Sequence, residues 1–474
     1  MSMKTKIRGY LFAGVASTGL GLVPLAAVAE TLGDALASAY KNSGLLEQNR
    51  ATLRATDEGV AQALAAMRPS LTYSYQLGKT RAVDPSAPAA GKVWSDLEDT
   101  LSFVASMDIY TFGRNQLSVD VQKEAVLATR AALVNVEQEV LATAVDAYMG
   151  VREAQALVNL RGSAVRLNQQ NLRAAQDRFD VGEITRTEVS QYEAQLASAR
   201  ANAAAAQGEL SAAREAYKVA IGHYPGTLQS PPAVKLPVSS LEGAVSTAAK
   251  THPGIIALQH QVAAQDIAVQ IAERSVLPTV SGTVTQTYSG TGVTDFGDSA
   301  TSIGLGIGGT IYSGGAVTSA VREAIAGRDE ARAALLQSSR EVEQGVRTNW
   351  AMLSVYNASE EASNAYVRAQ RVAYDGVKEE ADLGASTTLD VLDAEQDLLD
   401  AQVSAIQARI ARETQAYSVL QSMGLLTVEQ LKLDVPVYDP AAYYNAVKSA
   451  PTRTVSPQGE KLDHVLETLM KQNQ

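Results

Sequence analysis

The strongest constraint in this 474-residue sequence is an internal duplication. Pro69 recurs as Pro278 at an offset of 209 residues, and Gly222 recurs as Gly424 at an offset of 202. Further matched pairs are Lys41 with Lys250, Asp57 with Asp266, Ile109 with Ile311, and Glu193 with Glu395. A register held over roughly 190 residues with one change of offset indicates a duplicated domain and not a solenoid of short repeats.

Both copies predict the same order of elements. A helix (31–67, and again 241–275) ends before Pro69 or Pro278, because proline cannot continue it. Two strands follow, and then a long helix without proline (114–181, and again 316–381) that spans about 100 Å at about 1.5 Å per residue. The chain reverses at Gly182 or Gly384, and a return helix of about 40 residues ends at the matched glycines.

These elements divide the chain into five predicted segments. Residues 30–222 and 241–424 are the first and second structural repeats. Residues 223–240 form a linker, and residues 425–474 form a last segment with a polar C-terminal tail. Residues 1–29 are predicted to be a secretory signal peptide, with three basic residues, an apolar stretch and the small-x-small triplet Ala27-Val28-Ala29. A membrane anchor is the alternative, but its apolar run is shorter than the roughly 20 residues of a spanning helix.

Composition argues against several functions. The chain has no cysteine, which excludes disulfides, thiolate metal sites and lipid attachment through cysteine. Its formal net charge of −11 disfavours nucleic acid as a partner, because phosphates would be repelled. No catalytic triad or phosphate-binding loop is found, so we predict neither an enzyme nor a cofactor. Four histidines stand at no metal-ligand spacing: His223, His252, His260 and His464.

The four predicted strands lie near 70–80, 99–110, 279–289 and 301–312, and they alternate between apolar and polar or small residues. Such alternation gives a sheet one apolar face. Four strands cannot close a barrel, and an open edge in lipid leaves backbone groups unpaired. Three copies would supply twelve strands and leave room for a lumen. The alternative is a soluble sandwich packed on helices, which leaves the 100 Å helices unexplained.

The sequence resembles the TolC family of outer-membrane factors over nearly all of residues 30–474. Residues 178–189 read RFDVGEITRTEV, and residues 380–395 read EADLGASTTLDVLDAE. Leu277-Pro278 before a strand and Tyr110-Thr-Phe-Gly113 after one also fit the family. The run from Arg178 to Gly222 is most similar to the branch that serves type I protein secretion.

The resemblance implies a membrane α+β fold and a homotrimer in the cell outer membrane. Each chain would contribute four β-strands to a twelve-stranded barrel, above a long periplasmic α-helical barrel. An equatorial layer would be built from 223–240 and the segment after 424. A periplasmic adaptor protein of an inner-membrane ABC exporter or proton-driven pump would dock at the turns around Gly182 and Gly384, near Glu188.

Family members carry acidic residues near the second turn, and the matching positions here are Asp390 and Asp393. Residues three apart lie on one helix face, so three copies would place six carboxylates around the pore entrance and favour cations. The alternative is an ordinary solvated face, since Asp397 and Asp400 continue the acidic run.

The family's closed-state latch joins an acid on the first turn's helix to Tyr and Arg near the second. Glu188 matches the acid, but Ala381 and Ser386 stand at the Tyr and Arg positions. The familiar latch therefore cannot form, and Arg186 is a replacement candidate without a known partner.

Three functions remain open from the sequence. The first is an export channel, for type I protein secretion or alternatively for drugs and toxic compounds. The second is a trimeric coiled-coil stalk, although a stalk would not have duplicated internal strand pairs. The third is a periplasmic enzyme.

Overall fold

A computed structural model describes residues 29–83, 93–291 and 296–448. The predicted signal peptide, apart from residue 29, and the tail beyond residue 448 lie outside the described residues. None of the helices in the described part of the chain has an apolar stretch of the length needed to span a bilayer.

The two repeats fold into the same succession of elements. The first comprises α1 (Leu32–Asn42), α2 (Gly44–Ala65), β1 (Ser70–Val83), β2 (Val93–Tyr110), α3 (Arg114–Asp180) and α4 (Arg186–Ile221). The second comprises α5 (Leu241–Thr251), α6 (Pro253–Glu273), β3 (Thr279–Thr291), β4 (Asp298–Gly308), α7 (Ala316–Asp382) and α8 (Thr388–Ser422). A short helix, α9 (Ala442–Val447), follows. The helix bounds repeat at the two offsets seen in the sequence.

The first helix of each repeat is in fact two helices, so the prediction of one continuous helix was wrong. Ser43 has extended backbone angles, and its hydroxyl accepts a hydrogen bond from the Leu46 amide (3.2 Å), which starts α2. His252 holds the same place in the second repeat, where Pro253 begins α6. A residue before proline disfavours the helical conformation, and proline is tolerated in a helix's first turn.

The strands form one antiparallel sheet in the order β1-β2-β3-β4. Register pairs Ser70 with Ser106 between β1 and β2, and Thr279 with Gly308 between β3 and β4. β4 ends at Gly308, four residues before the predicted end. β1 and β4 are the edge strands, so the chain's own strands leave two open edges in the described sheet.

The helices pack side by side around a main core near the middle of α3. α3 contacts α4, α6, α2, α8 and α1, whereas α7 contacts α8, α6 and α5. Tyr148 of α3 is fully buried at the centre, where its hydroxyl donates to the backbone carbonyls of Glu30 (3.0 Å) and Gln229 (2.8 Å). Linker 223–240 is thereby held against this core, and a parallel bridge pairs Leu228 with Glu30.

The segment after α8 packs on the same region. Leu426 and Val428 enter the main core, and the Val428 amide donates to Glu137 (2.7 Å). Farther along, the Tyr443 hydroxyl donates to Glu58 of α2 (2.6 Å). The two segments predicted to be equatorial therefore both lie around the midpoint of the long helices.

Candidate functional site

The predicted site residues all lie at one end of the helical layer, which we call the turn end (residues 178–192 and 380–395). The chain reverses there twice, and Gly182 (φ 81°) and Gly384 (φ 77°) adopt left-handed backbone angles. The Glu183 amide donates to the Arg178 carbonyl (2.9 Å), and the Ala385 amide donates to the Glu380 carbonyl (2.8 Å). Glycine is favoured at these positions because a Cβ is strained at such angles.

Both return helices begin with a capping box that we did not predict. Thr185 and Glu188 exchange hydrogen bonds at the start of α4: the Thr185 amide donates to Glu188 Oε2 (2.6 Å), and the Glu188 amide donates to Thr185 Oγ1 (3.3 Å). Thr387 and Asp390 do the same at the start of α8, at 2.8 and 3.2 Å. The signal was available in the sequence, since Thr-x-x-Glu and Thr-x-x-Asp precede each helix.

The capping boxes show that Glu188 and Asp390 occupy the same position of the two repeats. Hydrogen bonds from Thr185 hold the pKa of the Glu188 carboxyl below its usual value, and those from Thr387 do so for Asp390. Both groups are ionised near neutral pH, where a negative charge at a helix N-terminus is favourable. Each acid thus has a local structural role, whatever else it does.

Asp393 has no such role. It is exposed one turn along α8 from Asp390, and no hydrogen bond or ion pair engages it among the described residues. Asp397 and Asp400 are exposed farther along the same helix. The first repeat carries Gln191, Gln195 and Ser198 at the corresponding positions. The acidic face therefore belongs to the second repeat alone.

Polar contacts join the two repeats at the turn end and just beside it. Arg178 donates to Asp382 (3.2 Å), and Thr388 Oγ1 donates to Glu188 Oε1 (3.2 Å). The amides of Asn168 and Asn171 donate to the two oxygens of Glu395, at 2.7 and 3.0 Å. Glu188 consequently has one oxygen in its cap and one in the contact between repeats.

Glu395 was not among the predicted site residues. It is only 6 % exposed, and burial raises the pKa of its carboxyl. Two amide donors compensate this burial, as buried polar groups require. The sequence showed Glu193 and Glu395 as a matched pair, but nothing in it placed Asn168 opposite.

Ala381 and Ser386 stand at the positions of the family's Tyr and Arg. Ser386 donates to Glu380 (2.8 Å), within its own turn. Arg186 is exposed and makes no hydrogen bond or ion pair with any described residue. Within the described part of one chain, Arg186 therefore has no latch partner.

The turn end also exposes two apolar side chains at equivalent positions. Val181 is 72 % exposed and Leu383 is 86 % exposed, each directly before the turn glycine. Covering exposed apolar side chains with a partner protein lowers the free energy, because apolar surface is removed from water. No group of three or more potential metal-ligating side chains was found among residues 29–83, 93–291 and 296–448.

Comparison with known proteins agrees with this arrangement. The profile of the outer membrane efflux protein family matches residues 35–223 and 244–425, which are the two repeats. Outer membrane efflux protein BepC of Brucella suis is 36 % identical over 440 residues, 92 % of this chain and 94 % of BepC. TolC of Escherichia coli is 24 % identical over 314 residues, 62 % of this chain and 63 % of TolC. The crystal structure of the Campylobacter jejuni CmeC outer membrane channel superposes with a TM-score of 0.74, at 18 % identity, over 88 % of this chain and 89 % of CmeC.

Proposed function

Because this chain belongs to the outer membrane efflux protein family, we propose that three copies form the outer-membrane channel of a tripartite export system. The chain is an outer-membrane protein with the TolC-like fold. In the proposed assembly, substrate leaves an inner-membrane transporter, passes an adaptor protein and crosses the periplasm and outer membrane inside the channel. The protein makes and breaks no covalent bond and needs no cofactor.

The four-stranded sheet with two open edges carries this proposal. β4 is exposed at all eleven residues, including Ile303 (81 %), Leu305 (72 %) and Ile307 (73 %). On β1, Leu71 and Tyr73 are 74 and 77 % exposed. Lipid would cover these side chains, but unpaired backbone groups in lipid cost several kcal/mol each. Pairing β4 of one copy with β1 of the next removes the open edges, and three copies give twelve strands.

The acidic face of α8 supports a cation-favouring pore entrance. Asp390 Oδ2 accepts hydrogen bonds from the amide and the hydroxyl of Thr387, so Oδ1 stays available, and both carboxylate oxygens of Asp393 are available. With three copies, six carboxylates would surround the axis and attract cations. Gly182 and Gly384 set the turns that place these helices, and the nearby Glu188 joins the two repeats.

Planar-bilayer recordings test the entrance. We expect Asp390→Asn with Asp393→Asn to lower the cation-to-anion permeability ratio, because the two substitutions remove six negative charges from the trimer. The fold should survive, since the new amide at position 390 retains an oxygen for the cap. Asp329→Asn is the control and should leave the ratio unchanged, because Asp329 is exposed near the start of α7, away from the turn end, and pairs with Arg328 (2.8 Å). If the permeability ratio of the double variant were unchanged, neither Asp390 nor Asp393 would line the pore entrance.

The exposed pair Val181 and Leu383 supports adaptor docking at the turn end. A partner that covers both side chains would bury apolar area at six equivalent points of a trimer. We expect Val181→Asp with Leu383→Asp to assemble and insert normally but to lose copurification with the adaptor. If the variant still copurified with the adaptor, the adaptor would not dock on Val181 and Leu383.

For the cargo, we propose efflux of small toxic compounds, which the name of the 36 % identical relative supports. Type I protein secretion is the second candidate, favoured by the resemblance of residues 178–222 to that branch. Expression with its cognate pump and adaptor in a host lacking such channels would separate them. Restored drug resistance without a secreted protein supports efflux, and the reverse result supports secretion. The Val181→Asp, Leu383→Asp variant is the inactive control.

A further inference from the structure

A cavity of about 500 Å³ beside the main core has an unusual lining. Arg152 of α3, Arg214 of α4 and Arg409 of α8 all line it, and its lining includes no acidic residue. The rest of the wall comes from α3, with the side-chain amides of Gln155 and Asn159, and from linker residues 225–228 and 230, with the hydroxyls of Thr227 and Ser230. Arginines from three helices thus converge in a protein whose formal net charge is −11.

Arg152 is the fixed part of this cavity. Its guanidinium donates to Glu413 (2.5 Å) and to Ser230 Oγ (2.6 Å), and its side chain is only 10 % exposed. Glu413 therefore compensates the charge of Arg152. The linker wall is also fixed, because the Glu30 amide donates to the Thr227 carbonyl (2.8 Å).

Arg214 and Arg409 are different. Both are exposed, and neither makes a hydrogen bond or ion pair with any residue that the structure describes. The cavity thus carries about two uncompensated positive charges. Guanidinium groups match carboxylate and phosphate oxygens with two parallel hydrogen bonds.

The repeat architecture does not require these arginines. The residues at the corresponding positions of the other repeat are Ser354 for Arg152, Ala416 for Arg214 and Gln207 for Arg409. The neighbouring cavity, lined by Asn357 and Ala416, contains Arg412 and Glu413 together and has no such excess charge. Of these two cavities, only the one lined by Arg214 and Arg409 has an excess of positive charge.

We propose that this cavity binds a small organic dianion, either a phosphate monoester or a dicarboxylate. Cavities of about 300–1,000 Å³ accommodate small organic molecules, so the volume here exceeds what an inorganic ion would fill. Arg214 and Arg409 clamp the two negative charges, and the hydroxyl and amide groups of the wall donate to further oxygens. The bound anion cross-braces α3, α4, α8 and the linker, and it therefore raises thermal stability. This site lies within one chain and does not depend on the proposed channel.

Calorimetric titration of the purified full-length protein in detergent tests the site. Glycerol 3-phosphate and succinate are the two probes, and they distinguish a phosphate ester from a dicarboxylate. Each is compared with sodium chloride at equal ionic strength. We expect saturable binding of at least one probe, weaker at high salt because both guanidiniums remain near solvent. Absence of saturable binding by both probes would overturn the proposal.

Arg214→Gln with Arg409→Gln is the informative variant. We expect at least about tenfold weaker binding, since two charge-assisted contacts are lost. Arg214→Lys with Arg409→Lys should bind with intermediate affinity, because charge remains but the bidentate geometry is lost. Arg173→Gln with Arg200→Gln, exposed arginines on the same α3 and α4, is the control and should bind as the wild type does. Equal affinity in the double Gln variant would refute the assignment.

Discussion

The long helices α3 and α7 have the same length, 67 residues, but very different surroundings. α3 buries fifteen side chains within the chain, whereas α7 buries only Val346 and Tyr374. α3 lies between neighbours on both sides, including α6 and α8 of the second repeat. α7 has the corresponding neighbours on one side only. An exposed position on α7 whose counterpart on α3 is buried is therefore expected to meet the first repeat of the next copy.

The connections between the strands and the helices also differ between the two repeats. Arg114, at the start of α3, donates to Thr279 of the second repeat, and Arg274 donates to the Phe112 carbonyl (3.3 Å). The corresponding positions in the other repeat are Ala316 and Ala65. Polar ties thus join the two repeats inside one chain, while the joint proposed between copies has small residues.

The largest expected effect comes from placing a charge on the unburied side of α7. Tyr366 is 48 % exposed, but its counterpart Ala164 on α3 is 8 % exposed. Tyr366→Asp should bury an unpaired carboxylate at each contact between copies, at a cost of about 3 kcal/mol or more. We expect loss of the heat-modifiable trimer on semi-native gels.

Val372→Asp is the matched control for that experiment. Val372 is 73 % exposed, and its counterpart Gln170 is exposed as well. The trimer should survive this change. Equal loss in both variants would mean that the internal repeat does not predict the surface between copies.

A second comparison concerns Asp57 of α2 and Asp266 of α6, at the same place in the two repeats. Asp57 is fully buried, neither of its oxygens has a hydrogen-bond partner in the described structure, and its pKa is raised to about 6. Burial is the largest cause of the raised pKa, the charge of Arg130 lowers the pKa, and the charge of Glu58 raises it. Asp266 instead pairs with Arg332 (2.9 Å), the counterpart of Arg130, at 40 % exposure.

These two acids should respond oppositely to neutralisation. Because the folded pKa of Asp57 exceeds the usual 3.8, its ionised form destabilises the folded state above about pH 6. Asp57→Asn should therefore raise stability at pH 8 by about 2–3 kcal/mol, at about 1.4 kcal/mol per pKa unit, and the gain should vanish below pH 4. Asp266→Asn should lower stability by about 1 kcal/mol or less. Chemical denaturation at the two pH values measures both, and destabilisation by Asp57→Asn at pH 8 would contradict the first.

The smallest expected effect concerns Arg186. Within one chain, Glu188 of the first repeat contacts Thr388 of the second. Asp390 corresponds to Glu188, and Arg186 corresponds to Thr388. The equivalent contact between copies would therefore join Asp390 of one copy to Arg186 of the next. Asp390 Oδ1 is available for it, as Glu188 Oε1 is for Thr388. Such an exposed ion pair stabilises by about 1 kcal/mol or less and weakens with salt.

Cysteine pairs can detect this contact even though it is weak, because the chain has no cysteine of its own. Arg186→Cys with Leu389→Cys leaves both capping boxes intact and should cross-link copies to each other. Thr187→Cys with Thr388→Cys, its counterpart, should cross-link within one chain. The contact would be refuted if the Arg186→Cys, Leu389→Cys protein still ran as a trimer but gave no cross-links between copies.

The sequence predicted the fold well where the signals are local or repeated. The duplication predicted matching helices, and the alternation at 71–77 and 101–109 predicted strands that the structure contains. The continuous first helix was wrong, although Ser43 and His252-Pro253 were readable as a cap and a break. The cap roles of Glu188 and Asp390 were equally readable, because a capping box is set by residues three apart.

Other features were beyond local signals. The buried contact of Glu395 with Asn168 and Asn171 joins residues more than 220 positions apart. Likewise, nothing local distinguishes Arg214 and Arg409, which line one cavity, from the other exposed arginines of these helices.

By itself, the sequence determined the two repeats, their helices and strands, the turns at Gly182 and Gly384, and the family. These follow from periodicity and backbone preference, which act over a few residues and are then repeated. Only the tertiary structure decided that α3 has neighbours on both sides while α7 does not, and that the segment after α8 packs on α2, where Asp57 is buried, and not on α6, where Asp266 is paired and exposed. Burial depends on neighbours distant in sequence, and two nearly equivalent segments can differ in it completely.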